Sequence, residues 1–433
     1  MNSPYIEGSE VIPSAGPAHG GELSRRSRNM VTKTFRKALL GMAATIALGA
    51  STSASAAVFV QCAQNNGVDA DGKIKASLPA GVQCMHLTAG DGFITMADGR
   101  NMYTFGFADV TALTAAEIAL DSMAANFAAP TIELQQGNDF YLTLTNVSMA
   151  MRPDLFDPHT VHFHGFPQQP PVFDGMPEGS FGVNMGSSVT YFYRLNDPGT
   201  YMYHCHQEAT EHMQMGMLGN LYVKPAQDLG PAKTYDGKTY TKFVYNDGDG
   251  STGYDVAKPL QLGSMDHVFH ELHLGVQPLP FKEMKDTYPM INGRGYPDTV
   301  NPDPLPTPKD ENGNSLNNDH ISQPISARVT ATLGQRLLLR LSNLNVTNYY
   351  TVTALGLPMK VVGAGARQLK GATGTSLAYD TSSVTLGGGE SVEVLIDTRN
   401  VPAGTYFLYT TNLNYLSNFD QDNGGMMTEI VIQ

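Results

Sequence analysis

The stretch Tyr201 to Met217 reads YMYHCHQEATEHMQMGM and sets Cys205 between His204 and His206. His212 follows seven residues after the cysteine, and Met217 five after that. Upstream, DPHTVHFHGF carries His159, His162 and His164. Successive side chains of an extended chain point to opposite faces. His162 and His164 therefore share one face of a strand, His204 and His206 share one face of another, and Cys205 points the other way. On the cysteine's face, His159, Cys205, His212 and Met217 offer two imidazoles, a thiolate and a distant thioether. Those are the ligands of a blue, type 1 copper centre, which exchanges one electron at a time. On the other face, His162, His164, His204 and His206 offer four imidazoles and no carboxylate, a set suited to further copper ions at which O2 or another small oxidant binds. Zinc also takes Cys and His; the strand setting and Met217 favour copper. A lone histidine is ordinarily a polar side chain satisfied by a neighbour, but two HxH pairs with a cysteine inside one of them form a different pattern.

The elements that must hold these residues read as β-strands. Short alternating runs such as FYLTLTN, VTYFYRL, RLLLRLSN and SVEVLID are separated by turn residues, the pattern of an all-β protein built of sandwiches or barrels. Helical periodicity is scarce; Ala112 to Met123 is the best candidate. The pattern repeats. GNDFYLTLTN (Gly137 to Asn146) matches GQRLLLRLSN (Gly334 to Asn343), and PGTYMYHCH (Pro198 to His206) aligns with AGTYFLYTT (Ala403 to Thr411). Two copies of one β-domain are the simplest account. We divide the chain into a leader at 1–56, a ligand-bearing domain at 57–224 and a ligand-poor domain at 225–433. The Pro/Asp/Asn-rich run 296–319 is expected to be a long surface loop.

The leader reads as a secretory signal peptide. Arg25, Arg26, Arg28, Lys33, Arg36 and Lys37 precede an apolar run, Ala38 to Ala50, and a small-residue site, Ala54-Ser55-Ala56. The run is too short to anchor in a bilayer. Met30 would itself begin an ordinary leader, and the residues after Arg25-Arg26 fit twin-arginine export poorly. The expected location is periplasmic or secreted. The chain carries a formal charge of −13, and losing the basic leader makes it more acidic, which argues against nucleic acid or anionic lipid as a partner. No later segment reads as membrane-spanning. The chain has three cysteines. Cys62 and Cys84 flank a Gly/Asp-rich loop and are expected to pair in an oxidising compartment. Cys205 is left odd, which in an exported chain points to a bound sulfur.

HxxHxHG, then HCH, then His and Met resemble the copper-binding domain of multicopper oxidases and of related two-domain cupredoxins, copper nitrite reductases included. The resemblance runs from about Ala129 to Val223, and a second copy from Ser326 to Gln433 resembles a cupredoxin domain through its LGGGESVEVLIDT stretch. It implies two cupredoxin-like Greek-key domains and a copper cofactor. It makes His159, Cys205, His212 and Met217 the type 1 ligands, His162 a type 2 ligand, and His164, His204 and His206 type 3 ligands. A reducing substrate, an organic molecule or a metal ion, is then expected at an exposed edge of His212, with electrons crossing Cys205 to His204 and His206 and so to O2. The interval from Cys205 to His212 is longer than in laccases and shorter than in nitrite reductases. A homotrimer is the assembly common among two-domain relatives.

This chain departs from the family in one respect. A complete trinuclear cluster draws HxH pairs from two domains, but the second copy has Tyr350, Thr353 and Leu355, then Tyr409, Thr410 and Thr411, at the matching positions. The remaining histidine cluster, His267, His270 and His273, either supplies ligands from an unfamiliar place or is structural. Two rivals follow: a nitrite-reductase-like enzyme with type 1 and type 2 copper, lacking the usual Asp at His162, and a type 1 electron carrier or copper-handling protein. DADG at Asp69 to Gly72 and NDGDG at Asn246 to Gly250 lack the closing glutamate of a calcium loop. Asn146 and Asn345 head NVS and NVT sequons, which matter only in a eukaryotic secretory pathway.

Overall fold

The computed structural model describes residues 58–167 and 169–433; the leader lies outside the described residues. Residues 82–224 form two sheets. Strands β1 (Val82–Thr95), β2 (Asn101–Asp109), β3 (Ala129–Gln135) and β4 (Asp139–Asn146) are followed by β5 (His162–His164), β6 (Ser188–Arg194), β7 (Gly199–His204) and β8 (Leu218–Lys224). They assort as β2-β1-β4-β6 and β3-β8-β7-β5. The inward side chains Phe140, Leu142 and Leu144 of β4 meet Leu221 and Val223 of β8 and Tyr203 of β7 in one buried cluster. Alternation along each strand thus puts apolar side chains between the sheets, and both sheets are of the cupredoxin type.

Residues 256–432 repeat the plan. Arg336–Asn343, the counterpart of β4, pairs antiparallel with Glu390–Asp397 and parallel with Val256–Met265, as β4 pairs antiparallel with β6 and parallel with β1. Gly404–Thr410, the counterpart of β7, lies between Met427–Ile432 and Tyr350–Ala354. Here the repeat reaches single residues: His162 faces His204 across β5 and β7, and Thr353 faces Tyr409 at the matching place.

The Arg336–Asn343 strand is buried on both faces. Its inward leucines Leu337, Leu339 and Leu341 enter the second core. Leu338 packs on Val244, Tyr245 and Tyr254, and Ser342 Oγ donates to Asn220 Oδ1 on β8 at 2.8 Å. The two halves therefore share a packed face.

The helix expected over Ala112 to Met123 is shorter, Ala115–Ile118, with Thr114 and Glu117 forming a capping box. Residues 301–328 hold no strand or helix. Cys62 and Cys84 form the expected disulfide. The loop aspartates Asp69 and Asp247 accept from backbone amides of their own turns. Asn146 and Asn345 are buried and donate to groups inside the fold, because each shapes a loop beside the histidines. Among the described residues no helix is long and apolar enough to cross a membrane.

Candidate metal centres

Three ligands of the first set meet in the core of the ligand-bearing sandwich. One donor atom each from His159, Cys205 and His212 lies within 4.8 Å of the others, and all three residues are fully buried. His159 Nδ1 is 3.9 Å and His212 Nδ1 3.2 Å from Cys205 Sγ. Metal–nitrogen and metal–sulfur bonds of about 2.0 and 2.3 Å at trigonal angles put N and S about 3.8 Å apart. The set therefore fits a trigonal thiolate site with little movement.

Each ligand has its own support. His159 sits on a bridge to Val183. The Thr160 amide donates to Cys205 Sγ at 3.4 Å, a contact that stabilises a thiolate. The Cys205 amide donates to Met217 O at 3.0 Å, and the Met217 amide to His212 O at 2.9 Å. Met217 is thus tied to both ends of the ligand loop, and its side chain is fully buried in the surrounding cluster. The long interval between Cys205 and His212 is explained by a helix, Ala209–Met215, whose last turn carries His212. Burial holds His159 well below the ordinary imidazole range. At His212 burial disfavours charge, but Cys205 and Asp157 outweigh it and hold the pKa up at about 10. Positive charge is thus favoured at His212 and disfavoured at His159.

The expectation of an exposed His212 edge is corrected. The ring is fully buried against Phe105 at a centroid distance of 5.7 Å, and its Nε2 is 3.8 Å from Asp157 Oδ2. Asp157, Glu208 and Glu211 gather beside it. From the sequence, Asp154 and Asp157 near His159 read either as an attraction for metal cations or as a solvated turn; Asp157 joins the acidic group beside His212, Asp154 pairs with Arg152, and Thr160 was not singled out.

The second set lines a cavity of about 460 Å³. Ring nitrogens of His162, His164 and His204 lie within 4.8 Å of one another. His206 also lines the cavity, with its ring centroid 5.0 Å from that of His162. β7 ends at His204, so Cys205 and His206 continue beyond the ladder, yet they keep the alternation of faces. His162 Nδ1 donates to Asp174 O at 2.6 Å and His204 Nδ1 to Cys205 O at 2.8 Å, which leaves each Nε2 for a ligand. Burial keeps His162 and His164 below the usual range and takes His204 down to about 3, so all three are neutral donors at ordinary pH. The far wall comes from the second half: Leu344, Asn345, Val346, Thr347, Asn348 and Tyr349, with Gly389 below. A Cβ at Gly389 would stand 2.6 Å from His164 Nε2, and its φ of +88° also favours glycine.

His267, His270 and His273 do not join this cavity. They lie on the helix His267–Leu274. His267 Nδ1 meets Thr287 Oγ1 at 2.8 Å. His270 lies between the carbonyls of Tyr103 and Gln214 at 2.5 and 2.9 Å. His273 Nε2 meets Glu211 Oε1 at 2.8 Å. All three are structural.

A cupredoxin-type copper protein is what this fold and the His159/Cys205/His212 set define. Residues 110–228 and 281–431 each match a family described as multicopper oxidase. The chain belongs to the multicopper oxidase family, whose cofactor is copper. It is 30% identical over 105 residues to multicopper oxidase MCE of Talaromyces pinophilus, covering 24% of this chain and 16% of that protein. It is 35% identical over 91 residues to copper resistance protein A of Pseudomonas syringae pv. tomato, covering 21% and 14%. The matched stretches thus span less than a fifth of these relatives. The blue copper oxidase of Nitrosomonas europaea shares the fold with a TM-score of 0.58 at 22% identity, over 81% of this chain and 85% of that one.

Proposed function

We propose that this chain is an exported copper oxidoreductase of the oxidase kind, taking electrons singly beside His212 and reducing O2 in the histidine-lined cavity. His159, Cys205, His212 and Met217 would hold a copper that supplies one-electron exchange, and the cavity histidines would hold copper that supplies O2 reduction. The observation that carries the reading is the adjacency of Cys205 to His204 and His206: the residue that brings the thiolate to one site is bonded in the chain to two residues that line the other. The chain's residues divide the remaining work. Thr160 and the buried loop hold the thiolate in place. Asp157, Glu208 and Glu211 give the entry side a negative character suited to a cationic reductant, a metal ion among them. Among the described residues the cavity wall carries no Lys, Arg, Asp or Glu, which suits an uncharged oxidant such as O2. Export rests on the leader and the disulfide; a homotrimer remains an expectation from the two-domain relatives.

The test is O2 uptake by the copper-loaded protein with a phenol, Cu(I), Fe(II) or Mn(II). We expect sustained uptake with at least one of them. Bleaching of the blue band by these donors with no O2 uptake would leave an electron carrier and end the oxidase reading.

A further inference from the structure

We infer that the second centre of this chain holds one copper, on His162, His164 and His204, in place of a trinuclear cluster; the inference rests on the copper reading above. The residues present do not fit the larger group. The three nitrogens are converged already, each within 4.8 Å of the other two, and bonds of about 2 Å to a shared ion would draw them to about 3–4 Å. Backbone carbonyls of Asp174 and Cys205 fix His162 and His204 with Nε2 inward. His164 turns Nδ1 to the site, 3.3 Å from His204 Nε2, while Gly389 backs its other nitrogen.

His206 stands outside this triad. Its ring is as near its neighbours as those of the triad, 5.0 Å from His162 by centroid, but its nitrogens do not turn to the shared point, and it is absent from the group of converged donors. Among the described residues the opposite wall supplies no imidazole, thiolate or carboxylate. Where the first half pairs His162 with His204, the second pairs Thr353 with Tyr409, so a neighbouring copy docked through that face would bring no ligands either. His267, His270 and His273 are engaged elsewhere. Three ions sharing these four imidazoles would each be left with about one protein ligand, against the three or four that hold copper in protein sites.

The experiment is copper analysis of the whole protein after copper loading, with EPR integration of the oxidised sample. We expect about two coppers per chain, both EPR-visible, one of them blue. His162→Ala and His164→Ala should each bring the content to about one and keep the blue band, which reports that the variant has folded. His206→Ala should keep about two. Three or four coppers with an EPR-silent share overturn the inference, as does a loss of copper in His206→Ala equal to that in His164→Ala. The wild-type count decides even where a variant does not fold. Two coppers without O2 uptake would sink the oxidase reading and leave this one standing; four coppers with uptake would do the reverse.

Discussion

Cys205 belongs to both centres, by its sulfur to one and by its chain neighbours to the other. Cys205→Ser keeps the shape and removes the soft ligand. We expect the blue absorption to vanish and copper content to fall by about one per chain, with the histidine-bound ion retained; elemental analysis and the visible spectrum check this. His86, away from both centres, governs a pH response. It is buried, its Nε2 lies 2.8 Å from Thr145 Oγ1, and burial lowers its pKa from 6.5 to about 4. The unfolded chain therefore binds the proton more readily than the folded one. The stabilisation is present above pH 6.5 and is lost as pH falls from there toward 4. At pH 5 the loss from this group is about 2 kcal/mol. Urea unfolding of the metal-free protein at pH 7 and 5 should show a smaller difference in His86→Gln. At this scale the convergence of His159 with Cys205 and His212, and of His162 with His164 and His204, was legible in the sequence, because HxH and HCH spacing on strands leaves few arrangements. Asp157 was marked by its nearness to His159, whereas Asp174 and Thr160 reach the site through folding rather than through spacing.

At the scale of elements, LGGGES has the composition of a turn before a strand, and nothing in it announces that Gly388 and Gly389 line the cavity. The Ala209–Met215 helix was equally hidden: within QEATEHMQM the metal ligands masked the helical period. Strand alternation, by contrast, identified sandwich strands such as Met427–Ile432, which bury one face, and RLLLRLSN showed as an apolar run although it is buried on both. Gly389→Ala would push a methyl group into His164. We expect it to lower copper at the second centre while leaving the blue band, as measured by elemental analysis of the pure protein. The Cys62–Cys84 disulfide closes a separation of 22 residues. A link of that span stabilises by about 3 kcal/mol, so Cys62→Ser/Cys84→Ser should shift urea unfolding by that order.

Across the whole molecule, two buried charged side chains of the second half bond to Thr200 of the first. Arg340 and Glu393 sit opposite on neighbouring strands. Glu393 accepts from the Thr200 amide at 2.7 Å and from Tyr245 Oη at 2.9 Å, and Arg340 reaches Thr200 Oγ1 at 3.0 Å. Arg340→Met removes the bond to Thr200 and the nearby positive charge that favours ionised Glu393, and should cost about 1–3 kcal/mol. Adding Glu393→Gln should recover part of that, as a double-mutant cycle in urea reads out. A chain with one ion at each of two centres also stores two electrons. With a one-electron donor, O2 + 2e⁻ + 2H⁺ → H2O2 is then the expected balance, and adding catalase should return half of the O2 consumed; no return would mean water is the product. The first centre's thiolate and the second centre's imidazole belong to consecutive residues, Cys205 and His204. Their α-carbons are held about 3.8 Å apart by a peptide bond, not by packing. The bonded path between the centres therefore has a fixed number of bonds, whatever rotamers the two side chains take. Heat, pressure or a loosened core can empty a site or turn a side chain, but they cannot lengthen that path. Turnover should accordingly fall mainly in proportion to the number of fully loaded chains, as copper content and rate measured together on partly loaded samples check.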